Sequence, residues 1–105
     1  MSELSAETID HWIALTENER SYALSAYKDD VEPVAIALKD AVDQAQRNND
    51  LPKARLILTI LADLFEQTDD PIVKAIYHRA EGNTYLPTGQ WQEAITRYRK
   101  AAVTS

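Results

Sequence analysis

His78-Arg79-Ala80-Glu81-Gly82-Asn83-Thr84-Tyr85-Leu86-Pro87-Thr88-Gly89-Gln90-Trp91-Gln92-Glu93-Ala94-Ile95-Thr96-Arg97-Tyr98-Arg99-Lys100-Ala101 is the stretch on which the fold turns, and it holds both glycines of the 105-residue chain. Helical spacing runs up to Leu86-Pro87-Thr88-Gly89 and resumes after it. Proline cannot continue a helix, and glycine takes the positive φ of a sharp turn at little cost. A helix is therefore expected from Pro71 to Tyr85 or Leu86, and another from Gln90 to Val103.

The composition agrees with helices. Average usage predicts about seven glycines in a chain of this size, and the deficit argues against a hairpin-rich β protein. One domain fits the length, and folding it buries roughly two thirds of the surface that the unfolded chain exposes. The absence of cysteine excludes disulfides, thiolate metal sites and cysteine nucleophiles. No apolar run is long enough to span a membrane, and residues 1–10 carry acids where a signal peptide needs bases, so the chain reads as unexported and cytoplasmic. Seventeen acidic against eleven basic side chains leave a net charge of −6, which disfavours nucleic acid and anionic membranes as partners. The imbalance lies in residues 1–50, with four Lys/Arg and eleven Asp/Glu; residues 51–105 hold seven and six.

Periodicity places four more helices before the quoted stretch. The first spans Leu4 to Leu15, with Ser5 or Ser2 as N-cap and Ile9, Trp12 and Ile13 on one face. Thr16-Glu17-Asn18-Glu19 is a capping box that opens a second helix running to Lys28, with Tyr22, Leu24 and Tyr27 as candidate core. Pro33, Pro52 and Pro71 recur at 19-residue intervals, each just after Asp29-Asp30, Asn49-Asp50 or Asp69-Asp70, and mark three helix starts with a capping carboxylate. The helix from Val31 to Arg47 turns Val34, Leu38, Val42 and Ala45 inward and Lys39, Asp40, Asp43 and Gln44 outward. The helix from Leu51 to Gln67 is apolar nearly all round and belongs in the middle of the molecule, packed by helices before and after it.

Gly82, Tyr85, Gly89, Trp91, Ala94, Tyr98 and Ala101 fall in register on the signature of the tetratricopeptide repeat, and the stretch 72–103 resembles that family. The resemblance implies an all-α fold of stacked antiparallel helix hairpins, an α-solenoid of about six helices here. Gly82 and Ala94 would let two helices approach closely, Gly89 would make the turn, and Tyr85, Trp91 and Tyr98 would fill the space around the small residues. His78 and Glu81 depart from the pattern, standing where the family has apolar residues; three apart on a helix, they can hydrogen-bond. Asn49, Leu51, Ala54, Leu58 and Leu61 resemble the second half of an earlier, degenerate repeat within 31–67. A single helical domain over 1–105 is thus expected, with 1–30 an N-terminal capping pair, 31–67 a degenerate hairpin and 70–103 a repeat. Ile76-Tyr77-His78-Arg79-Ala80-Glu81-Gly82-Asn83 is also similar to repeats of large bacterial signalling proteins that join such arrays to effector domains.

In function the resemblance implies a non-catalytic protein–protein interaction module, a scaffold that binds a peptide or helix of a partner, in the N-terminal part of a larger bacterial protein. An effector domain of the same longer chain is one candidate partner. Arg79, Asn83 and Ile76 are the candidate partner-binding residues, because family members that hold a partner's C-terminal carboxylate use a basic residue and an asparagine at this offset. No metal or cofactor is expected: His11 and His78 have no ligand-spaced companions, and the aspartate pairs are better read as caps than as catalytic acids. The chain has no phosphate loop and no nucleophile motif, so it does not read as an enzyme. An alternative is a small self-associating adaptor or oligomerisation domain, in which Arg97, Arg99 and Lys100 meet the acidic first half of another copy.

Overall fold

The computed structural model describes residues 5–86 and 89–104. They form six helices: α1 (Ala6–Ala14), α2 (Glu17–Ser25), α3 (Val31–Arg47), α4 (Leu51–Thr68), α5 (Pro71–Tyr85) and α6 (Trp91–Thr104). No strand occurs among the described residues. Ser2 and Leu4, expected at the start of the first helix, and Pro87-Thr88 of the expected turn lie outside them.

Local chemistry explains the boundaries. Ser5 caps α1 by accepting from the Thr8 N–H at 3.1 Å. Thr16 and Glu19 exchange both bonds of the capping box, at 3.2 and 2.9 Å. Those bonds hold the exposed Glu19 carboxyl below the ordinary carboxylate range. Asp50 and Asp70 cap α4 and α5, whose first turns contain Pro52 and Pro71. Asp30 differs: it is the N-cap residue of α3, but its side chain makes no capping bond. Asp69 does not cap the following helix either; it ends α4 in the left-handed region at φ 52°. Asn49, at φ 59°, does the same beyond α3. Asn and Asp tolerate that conformation better than other side chains, so two helix ends that glycine commonly makes are made without it.

The core gathers around α4. Ile57, Ile60, Leu61 and Leu64 are fully buried, and the helix packs against α1, α2, α3 and α5. Its cover is incomplete, since Leu56 is 51% exposed. Each buried aliphatic side chain contributes about 1.5–3 kcal/mol through removal from water. Arg20 Nε donates to Asp63 Oδ2 at 3.0 Å and Gln67 Nε2 to the Ser21 carbonyl at 3.0 Å, tying α2 to α4. Two further contacts place the rest: α5 also lies against α3, and α6 packs on α5. The radius of gyration, 13.1 Å, matches the value of about 13 Å expected for a compact chain near this length.

Several side chains sit elsewhere than their spacing suggests. Tyr22 is 83% exposed, because α2 ends at Ser25 and buries only Leu24. Tyr27 falls beyond α2 and meets Trp12 edge-on at 5.6 Å. Trp91 does not fill the hairpin interior: it is 62% exposed, while Ala94 and Ala101 are buried. Lys39 and Asp43 are not simply solvated but form a partly covered pair at 2.8 Å. No helix among the described residues is long and apolar enough to cross a membrane.

Candidate functional site

A polar junction lies where α3, α5 and α6 meet, and it begins with a missing side chain. A Cβ built on Gly82 would lie 2.8 Å from Tyr98 Cε1 and 3.2 Å from the Ala94 carbonyl oxygen. Only glycine lets the Tyr98 ring press on the α5 backbone. That approach carries the Tyr98 hydroxyl to Asn83, where it donates to Oδ1. Asn83 Nδ2 donates in turn to Asp43 Oδ1 at 3.4 Å, and the Asn83 carbonyl accepts from Gln46 Nε2 at 2.6 Å. Asp43 Oδ2 holds Lys39 Nζ at 2.8 Å.

The electrostatics show which charges share this junction. Burial, and then the Asp43 carboxylate, raise the Tyr98 hydroxyl above the ordinary tyrosine value; Lys39 and Arg79 act in the lowering direction. Two cations and one carboxylate thus act on a single hydroxyl. Lys39 is paired with Asp43, whereas Arg79 is exposed one turn before Asn83. Arg79 brings an exposed guanidinium fork to this face of α5, and Asp43 already holds the Lys39 ammonium. Asn83 is chiefly a positioning group, since its oxygen and one N–H are spent on the two neighbouring helices.

Ile76 is half-buried and packs on the core. Exposed apolar side chains on these helices are Ile72, 49% exposed and one turn earlier on α5, and Ile36, 52% exposed on α3. Gln46, Ile36 and Ile72 escaped the sequence reading, which placed Lys39 and Asp43 only on an outward face. A signal for them existed: Ile36-Lys39-Asp43-Gln46 and Ile72-Ile76-Arg79-Asn83 are each one stripe of a helix, at spacings of three and four.

A second cluster lies on another side of α5. Glu81 accepts from the Tyr77 hydroxyl at 3.2 Å, and Glu81 Oε1 lies 3.3 Å from His78 Nδ1. Arg97 Nε lies 3.0 Å from the same oxygen, an ion pair whose N–H is not aligned for a hydrogen bond, and Arg97 also reaches Glu93 at 3.6 Å. Burial, reinforced by the Glu81 charge, pushes the Tyr77 hydroxyl up to about 12. Arg97 is thereby withdrawn from the expected basic patch, which leaves Arg99 and Lys100 as its exposed members. Among the described residues no group of three or more His, Asp or Glu is placed to hold a metal ion.

No family model, curated protein or solved structure matches this chain. The tetratricopeptide resemblance rests on the sequence pattern alone.

Proposed function

We propose that the chain is a non-catalytic interaction module of tetratricopeptide type, in which α3–α4 and α5–α6 are stacked hairpins and the surface along α3 and α5 receives a partner peptide. The observation that carries this reading is exposed Arg79 one turn before Asn83, which hydrogen bonds tie to Tyr98 and to the Lys39–Asp43 pair, on an α5 stripe that also carries exposed Ile72. Cations beside an apolar strip suit a short segment with an aliphatic last residue and a free C-terminal carboxylate. Gly82, Asn83 and Tyr98 serve this surface by locking α5 to α3 and α6.

The test is titration of a fluorescent acidic pentapeptide ending in an aliphatic residue, against the same peptide amidated at its C-terminus. Arg79→Ala and amidation should each weaken binding roughly tenfold, the worth of one hydrogen bond to a charged group. Equal affinities for all combinations would falsify the reading.

A further inference from the structure

We propose that this chain associates head to tail with a second copy of itself, the exposed ridge of α6 in one copy docking into a groove between α1, α3 and α4 in the next. The groove has a volume of about 370 Å³. Its wall on α3 joins Asp40 and Gln44 to the row Ala37, Ala41 and Ala45, whose short side chains let another helix approach closely. Its charges are Asp10, Asp40 and Asp50 against Lys53 alone, and the Lys53 ammonium is already held by Asp10 at 3.1 Å. The groove therefore joins an apolar set, Ile9, Ala37, Ala41, Ala45 and Ile57, to polar residues of net negative charge.

The α6 ridge is its complement. Ala94 and Ala101 bury the inner side of α6, while Trp91 and Ile95 are 62% and 42% exposed. Trp91, Ile95 and Arg99 stand four residues apart on one stripe, with exposed Lys100 beside Arg99. Over its length α6 carries three cations and one carboxylate. In the proposed contact an aromatic and an aliphatic side chain meet the apolar part of a groove large enough to take them, and a guanidinium meets Asp40. The same complementarity runs through the whole chain, acidic in residues 1–50 and slightly basic after them. Because ridge and groove are different surfaces, the contact is heterologous and each copy keeps one free end.

This inference does not rest on the peptide-binding reading, since it uses neither Arg79 nor Asn83. The experiment is sedimentation velocity of the full chain over a concentration series at low and high salt, with two variants, Trp91→Ala on the ridge and Asp40→Arg on the groove. Both positions are exposed, and far-UV circular dichroism verifies that each variant is folded. The wild type should grow in mean mass with concentration and do so less at high salt. Each variant alone should be monomeric, Trp91→Ala weakening association by at least about 30-fold as truncation of a central aromatic anchor does. Mixed together, they should form a one-to-one dimer that grows no further, because one intact ridge and one intact groove remain. Arg79→Ala should associate like the wild type. A wild type that stays monomeric, a variant that still associates as the wild type does, or a mixture that fails to dimerise overturns the proposal.

Discussion

Replacing Gly82 by alanine sets two effects of opposite sign against each other at the junction of α5 and α6. Helix propensity favours the change, since alanine inside a helix is better than glycine by about 1 kcal/mol. Packing opposes it, because the new methyl would lie 2.8 and 2.9 Å from Cε1 and Cδ1 of Tyr98. Those atoms belong to a rigid ring rather than to the far end of a flexible chain, so the whole ring must move. Overpacking of this kind costs about 1–3 kcal/mol. A displaced ring also withdraws its hydroxyl from Asn83, a further loss of about 0.5–1.5 kcal/mol. The opposing terms leave Gly82→Ala less stable by about 0.5–3.5 kcal/mol, a fall in Tm of roughly 2–28 °C for a domain near this size. Thermal melts followed by far-UV circular dichroism measure it. Combining Gly82→Ala with Tyr98→Leu supplies the control, because once the ring is gone the methyl has room and the two effects should not add. A Gly82→Ala variant that melts higher than wild type, or strict additivity in the double variant, refutes the close approach on which the α3–α5–α6 junction depends.

Other consequences can be checked on the same protein. Asp70→Ala removes the acceptor of the Ile72 and Val73 N–H groups at 2.8 and 3.4 Å, and should lower stability by about 1 kcal/mol in urea unfolding. Tyr77 is raised from 10 to about 12 in the folded chain, so the unfolded chain loses this proton first as pH rises. The stabilisation from keeping Tyr77 neutral is complete below pH 10 and should disappear between pH 10 and about 12. Tyr77→Phe should flatten most of that decline, leaving the smaller slope that Tyr98, also raised, contributes; a decline as steep as the wild type's would show that Tyr77 is not its source.

Much of the helical frame is legible in the sequence because its causes are local. The Thr16-to-Glu19 box, the Asp50 and Asp70 caps and the prolines behind them act within one turn, and the helices begin where those residues stand. The errors fall where a local rule meets a distant partner. Lys39 and Asp43 share a polar stripe of α3, which reads as a solvated face until α5 places Asn83 against it, 40 residues away. Trp91 stands at a position of the repeat pattern that spacing alone makes structural, yet among the described residues α6 packs chiefly on α5 and Trp91 is 62% exposed.

Sequence alone determined that the chain is helical, where most helices start and stop, and that the most apolar of them, α4, lies in the middle. Backbone propensity, capping and side-chain periodicity all operate over three or four residues, a range that a one-dimensional text preserves. Only the tertiary structure decided which polar residues converge on Asn83, which cation is spent on Glu81, and which apolar side chains remain on the surface. Those outcomes depend on which stripe of each helix a neighbouring helix covers, a choice made by the packing of residues far apart in the chain.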